Sequence, residues 1–324
     1  MATSRSWRPS HVLDGPYPAR LDEVDELNQV FSEAFTERYR RDGMSGVRVP
    51  FLNPAVWRYA IRDAAEGAMI WRGERGEIIA FNIVHRSGVE GWMGPIAVRS
   101  EHQGGGAGKE IVRRGIEWLK VHGAVTIGLE TMPRTMDNIG FYSALGFVPG
   151  RLTLTTTLDA MYADRPAPLF GRLAARDKDD VLSRCRDLVS SLQPAYDHTR
   201  EIQLTDELAL GDTLLLYKED EIIGFALCHT APLVEGRARE DLRVLKLALL
   251  DLSAFDEMMR LLCDFARRSG TRRVSIRVQG DYETAYSRLV AMRARVRWSD
   301  LRMTLQGYSE RRPERGMVLS NWEI

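Results

Sequence analysis

Met93-Gly-Pro-Ile-Ala-Val98, then Arg99-Ser-Glu-His-Gln103-Gly-Gly-Gly-Ala-Gly108-Lys109, then Glu110-Ile-Val-Arg-Arg-Gly-Ile-Glu-Trp-Leu119, form one continuous stretch that decides the fold. Ile96, Ala97 and Val98 read as the end of an apolar strand. Gly94-Pro95 just before them reads as a break in its ladder, because proline belongs at sheet edges and bulges. Ile111, Val112, Gly115, Ile116 and Leu119 recur at helical spacing and predict an amphipathic helix. Between strand and helix, Gly104, Gly105, Gly106 and Gly108 let successive backbone N–H groups converge on one point. A helix N-terminus behind such a loop adds about half a positive charge. The combination is a cradle for a pyrophosphate. It differs from nucleotide-hydrolysing loops, whose Gly-x-x-x-x-Gly-Lys-Ser/Thr pattern is missing here.

A second block lies downstream: Asn138-Ile-Gly-Phe-Tyr142-Ser-Ala-Leu-Gly146-Phe147. Its tyrosine follows Gly108 by 34 positions, which leaves room for one helix and one strand at residues 125–130. Gln103-x-x-Gly106-x-Gly108 after a strand ending in valine, joined to this block, resembles the acyl-coenzyme A signature of the GNAT N-acetyltransferase superfamily. The resemblance covers roughly residues 20–158. It implies acetyl-coenzyme A as acyl donor, without a metal, and a mostly antiparallel mixed sheet flanked by helices. It also implies that backbone at Ile96, Ala97 and Val98 pairs with the pantetheine. Gln103, Gly104, Gly105, Gly106, Ala107, Gly108 and Lys109 would hold the pyrophosphate, and Asn138 would reach the coenzyme or cap a helix.

Tyr142 is the general acid that the resemblance implies. A phenol with a pKa of about 10 can donate to a nascent thiolate without being ionised at rest. The base is less plain. Trp92 stands where some relatives carry a base glutamate, which leaves Glu90, two residues earlier on the same strand face, and Glu130, at the end of the next strand. His85 titrates in a useful range, but His229 repeats it, and a water chain would also serve. Thr135 stands where the family often has asparagine. Specificity would come from the first two helices and the loop between them, with Phe31, Phe35, Glu37, Tyr39, Arg40, Met44, Val47, Phe51, Trp57 and Tyr59 around the cleft, although a tryptophan placed like Trp57 is more often simply core.

The chain repeats itself. Glu77-Ile-Ile-Ala-Phe-Asn-Ile-Val-His85 returns as Glu221-Ile-Ile-Gly-Phe-Ala-Leu-Cys-His229, and Tyr142-Ser-Ala-Leu145 as Tyr286-Ser-Arg-Leu289, both at an offset of 144. The fold class expected is therefore α/β (α+β mixed), with two tandem GNAT-like domains. Residues 1–159 would be the catalytic, acetyl-CoA-binding copy, 160–171 a proline-bearing linker, and 172–324 a degenerate copy with a structural or cleft-forming role. Each copy would close its own sheet, at 151–158 and 299–306. After its corresponding strand the second copy reads Leu250-Asp-Leu-Ser-Ala254, without glycine, and Asp251 would repel a phosphate.

Composition bounds the rest. Lys+Arg and Asp+Glu balance at 45 each, so no basic face for nucleic acid is indicated. The basic runs at 38–41 and 311–315 read as solvated surface. Three scattered cysteines read as reduced thiols, residues 1–10 lack a signal-peptide core, and no apolar stretch is long enough to span a bilayer. A soluble, cytoplasmic monomer or homodimer follows, with a small-molecule amine as partner and neither nucleic acid nor membrane. The reading is an acyl-CoA-dependent N-acetyltransferase. A peptide N-acetyltransferase and a non-catalytic acyl-CoA sensor are the alternatives.

Overall fold

The computed structural model describes residues 13–322, so the expectation about residues 1–10 lies outside the described residues. The first half runs β1 (Asp14–Pro18), α1 (Val24–Arg41), α2 (Pro54–Ala64), β2 (Ala68–Arg72), β3 (Ile78–Ser87), β4 (Glu90–Val98), α3 (Ala107–Val121), β5 (Thr126–Thr131), α4 (Met136–Ser143) and β6 (Phe147–Asp159). The second half runs α5 (Ala175–Leu192), α6 (Thr199–Glu207), β7 (Gly211–Lys218), β8 (Glu221–His229), β9 (Asp241–Leu249), α7 (Phe255–Arg268), β10 (Arg273–Gln279), α8 (Glu283–Ala291), β11 (Arg295–Leu305) and β12 (Met317–Ser320).

Local chemistry explains these elements. The apolar face of α3 is buried as its spacing demands, with Ile111, Val112 and Leu119 fully enclosed. α2 starts at a capped turn: the Asn53 side chain accepts from Ala55 N at 2.9 Å, and Pro54 fills the first helical position. In the first half, α1 and α2 cover one face of the sheet and α3 and α4 the other. In the second half α5 and α6 cover one face, α7 and α8 the other. The two halves thus share one α/β plan, a sheet covered by a pair of helices on each face.

Their sheets are fused by an exchange that the repeat does not announce. The strand order is β1-β2-β3-β4-β5-β11-β6-β10-β9-β8-β7, with β12 paired to β9. β11, from the second half, lies antiparallel between β5 and β6, and Arg302 stands opposite Glu130. β6, from the first half, lies antiparallel against β10 from Thr153↔Gln279 to Asp159↔Arg273. Each closing strand therefore completes the other half's sheet, contrary to the expected self-closure. Residues 160–171 also differ from a free linker. Ala160 N donates to Arg272 O at 2.9 Å, Leu215 N donates to Pro168 O at 3.0 Å, and Ala167, Leu169 and Phe170 are buried.

Candidate active site

β4 and β5 run parallel for four rungs, from Glu90↔Thr126 to Met93↔Leu129, and then part. An extra residue in β4 sits at the parting point. Against β3, Val84 pairs with Met93 and Asn82 with Ile96, so Gly94 and Pro95 stand opposite Ile83 alone. Gly94 takes φ +146°, a value that a side chain would resist. A bulge bends its strand and increases the twist, which swings residues 94–98 away from β5. Among the described residues, that segment pairs with β3 only. The opposite edge of Ile96, Ala97 and Val98 is left open to an extended ligand.

The glycine loop closes the narrow mouth of this wedge. Gly104 and Gly106 adopt φ +84° and +95°, and Gly106 is the N-cap of α3. No side chain caps that helix; Lys109 N donates to Gly106 O at 3.0 Å, which leaves the N–H groups of Ala107 and Gly108 for a ligand. A Cβ placed on Gly106 would meet nothing within 4 Å, so the loop fronts open space. Loop and helix start are therefore fit to hold a pyrophosphate. The Gln103 side chain does a different job: it donates to Val98 O at 2.8 Å and accepts from Arg41 at 3.0 Å, tying loop, β4 and α1 together. Lys109 is exposed at the loop's edge. Arg41, read from sequence as ordinary surface, stands beside the cradle.

Gly108 brings α4 to this loop. A Cβ there would lie 3.3 Å from the Phe141 ring, so glycine permits the close approach. Tyr142 follows, half-buried, its ring 6.1 Å from Phe147 and edge-on to it. Burial pushes the Tyr142 phenol up to about 12, so it stays protonated. Asn138 donates to Thr131 Oγ1 at 3.4 Å, at the end of β5. Thr135 is buried and donates to Asp42 at 2.8 Å, which fixes the start of α4 on the end of α1.

The two carboxylates singled out as bases are both engaged. Glu90 is fully buried, accepting from Trp92 Nε1 at 2.9 Å and from Ser320 Oγ at 2.6 Å, with Arg302 at 4.0 Å. Glu130 accepts from Thr153 at 2.5 Å and pairs with Arg277 and with Arg302 at 3.4 Å. Burial alone would raise the Glu130 carboxyl, but Arg277 and Arg302 hold it below its ordinary range. Trp92 lies across Gly128, where a Cβ would come within 2.4 Å of the indole, and the Arg302 guanidinium sits 3.8 Å from its ring centre. Tyr59, expected around the cleft, is core instead, and Trp57 is core, the reading that the sequence favoured for it. The Trp57 indole donates to Asn28 at 2.7 Å, and Tyr59 packs 4.6 Å from His229. Val47 and Phe51 remain exposed on the loop before α2.

Just past the fork, the second half supplies most of the polar side chains. Arg277 reaches Asp300 at 2.9 Å as well as Glu130, and Arg302 Nε lies 3.1 Å from Glu310. Asp300 is also within electrostatic reach of Tyr39 on α1. Four carboxylates, Glu90, Glu130, Asp300 and Glu310, thus gather around the guanidiniums of Arg277 and Arg302. Sequence reasoning passed over Arg277, Asp300, Arg302 and Glu310. No local motif marks them, and only the strand exchange brings them here.

The second half has the same wedge, but filled. β9 and β10 run parallel for four rungs, Asp241↔Arg273 to Val244↔Ile276, and β12 then lies along β9 from Ser320↔Lys246 to Met317↔Leu249. The Tyr282 hydroxyl fastens β12, donating to Val318 O at 2.8 Å and accepting from Val318 N at 2.9 Å. Where the first half has glycines, Asp251 caps a turn by accepting from Ser253 N at 2.6 Å. The chain's own strand thus occupies the edge that stays open in the first copy.

Comparison with known proteins agrees with this geometry. Residues 25–147 match the acetyltransferase (GNAT) family. A 59-residue segment, 18% of this chain, is 36% identical to an uncharacterized N-acetyltransferase, YobR, of Bacillus subtilis, and spans 24% of that relative's length. The GCN5-related N-acetyltransferase of Sphaerobacter thermophilus superposes over 98% of this chain and 100% of its own, with a TM-score of 0.56 and 16% identity. A tandem GNAT protein from the clavulanic acid biosynthesis pathway superposes over 90% of this chain and 97% of its own, with a TM-score of 0.58 and 12% identity. At such identities the likeness is one of fold. Among the described residues, no helix is long and apolar enough to cross a membrane, and no group of three or more His, Cys, Asp or Glu could hold a metal ion.

Proposed function

Since residues 25–147 match the acetyltransferase (GNAT) family, we propose that this chain moves an acyl group from acetyl-coenzyme A to a primary amine of a small molecule, by direct attack in a ternary complex. One observation carries the reading: of two wedges built on the same plan, one is open with an uncapped glycine loop at its mouth, and the other is filled. The donor supplies an activated thioester. The residues of the chain bind, orient and move protons around it. Backbone at Ile96, Ala97 and Val98 pairs with the pantetheine, and the loop from Gln103 to Lys109 holds the pyrophosphate. Asn138, on α4 and bonded to Thr131 at the end of β5, orients the coenzyme's acyl end. The cleft lined by the carboxylates of Glu130, Asp300 and Glu310 receives the ammonium.

In this reading Tyr142 hydrogen-bonds the departing sulfur. Full proton transfer from a phenol at about 12 to a thiolate whose ordinary pKa is about 8.5 would be uphill by about 5 kcal/mol. Stabilisation by hydrogen bond is therefore the larger part of its role, and the loss on its removal belongs near the low end of general acid effects, about 10²-fold. Glu130, held anionic by its arginines, is a weak base and acts chiefly as negative charge beside the acceptor. Glu90 orients Trp92 and Ser320. A panel of amines with acetyl-coenzyme A and thiol detection tests the activity. Tyr142→Phe is expected to lower kcat about 10²-fold with KM within threefold. A loss below threefold on a genuine substrate would remove Tyr142 from the mechanism.

A further inference from the structure

We propose that Glu310, on the segment between β11 and β12, takes the proton that the acceptor ammonium must lose before it can attack; the proposal rests on the acyltransferase reading above. The fork between β4 and β5 opens after Met93↔Leu129, so Glu130 is the first β5 side chain past it on the face that carries Trp92. That face lies away from Leu129 and Ile127, which pack beneath α3, and away from Tyr142. An amine approaching from there would add to the thioester carbonyl from the side of the sheet away from the phenol, leaving the phenol beside the departing sulfur. Arg302 marks the spot: it lies 3.4 Å from Glu130, 3.8 Å from the Trp92 ring centre and 3.1 Å from Glu310.

Chemistry then separates Glu310 from its neighbours. Glu90 is sealed from solvent by Trp92 and Ser320, and Glu130 is neutralised by two guanidiniums. His85 is buried against Asp63 at 2.8 Å, on the far side of Trp322. Glu310 has one cationic partner, and its side chain is 26% exposed, so it can pass a proton on to water. The groups around it are Arg302 on β11, Glu90 on β4, Glu130 on β5, Tyr196 after α5 and Tyr282 before α8. Burial above all, then Glu90 and Glu130, push the Glu310 carboxyl up to about 7 against the pull of Arg302. A base is most useful when its pKa lies near the working pH. The step is a single proton transfer: R–NH3+ and the Glu310 carboxylate give R–NH2 and the Glu310 carboxylic acid, which returns the proton to solvent.

Three measurements on the full-length chain test this. Infrared titration should show carboxyl intensity that ionises near pH 7, to which buried Glu201 also contributes, and the difference between wild type and Glu310→Gln should isolate the Glu310 band. Thiol release from acetyl-coenzyme A should be followed from about pH 5 to about pH 9, with 1,4-diaminobutane and, separately, water as acceptors; these limits are about two units either side of the expected midpoint. The wild type should show an acid limb that levels off above about pH 7, because the base works only when deprotonated. Glu310→Gln should lose that limb and at least about tenfold in rate at pH 8, while Glu310→Asp keeps the limb. Calorimetry should find coenzyme A affinity unchanged in both variants. A glutamine variant that keeps limb and rate within threefold of wild type overturns the proposal. A wild-type chain that binds no coenzyme A overturns the underlying reading instead.

Discussion

A chain ending at Asp159 should fail to fold into a soluble monomer and should bind no coenzyme A, although it holds the whole glycine loop. In the intact molecule β6 has β11 on one side and β10 on the other, and both belong to the second half. Cutting at Asp159 strips β6 of both partners and leaves the outer edge of β5 bare, a template for aggregation. It also removes Ser320 and Arg302 from the Glu90 carboxylate, and Arg277 and Arg302 from Glu130. Losing the partner of a buried charge costs about 3–5 kcal/mol, comparable with the whole stability of a small domain. Light scattering coupled to gel filtration, with calorimetric melting, would report the outcome. Co-expression with residues 160–324 should restore a soluble complex. A monomeric fragment that melts cooperatively and binds coenzyme A with wild-type affinity would mean that β6 can close beside β5 unaided.

Gly106→Glu should abolish coenzyme binding in an otherwise folded protein. Position 106 has φ +95°, so any side chain there carries left-handed strain of roughly 1–2 kcal/mol, tolerable within a typical stability of about 5–15 kcal/mol. The larger effect is charge: the new carboxylate would project into the open space before the uncapped α3 terminus, where a pyrophosphate would be held. Losing about 3 kcal/mol of binding corresponds to roughly a hundredfold in Kd. Gly106→Ala separates the two causes, since it carries strain without charge, and should lose much less. Calorimetry on the wild type should find one coenzyme per chain, and Asp251→Gly with Ser253→Gly should leave that number at one, because β12 still occupies the second wedge. Unchanged affinity in Gly106→Glu, or two sites in the wild type, would overturn the assignment of the cradle.

Much of this arrangement was written locally and could be read locally. Gly94-Pro95 marked the bulge because proline cannot sit in a continuous ladder, and the spacing from Ile111 to Leu119 marked the buried face of α3. The second copy's missing glycines pointed to a lost cradle, though not to a strand in its place. β12 spans four residues after an arginine-rich run and carries too little alternation to be recognised. The exchange of β6 and β11 was hidden for a different reason. Alternation tells which face of a strand is buried, not which strand it will meet. The acceptor side of the site depends on that pairing, so Arg277, Asp300, Arg302 and Glu310 were invisible. Trp57 could be read either way, with core the commoner outcome, as aromatic residues on an amphipathic helix serve core and cleft alike. The core claimed it.

The exchanged strands also govern how the protein must be made. Glu130 waits for Arg302, 172 residues later, and Glu90 waits for Ser320, 230 residues later. The entropy of closing such loops grows only slowly with length, so the finished molecule loses little by them. The ribosome, however, delivers the chain from one end. While the second half is still being synthesised, the edge of β5 stands open and β6 has no neighbours. In a crowded polysome, the β11 of an adjacent nascent chain can reach that edge before the chain's own β11 has emerged. Two copies joined in this way would contain the same strand pairs as one, so the monomer and the swapped dimer differ little in contact energy. The balance between them would be set by the rate of synthesis and the local concentration of nascent chains.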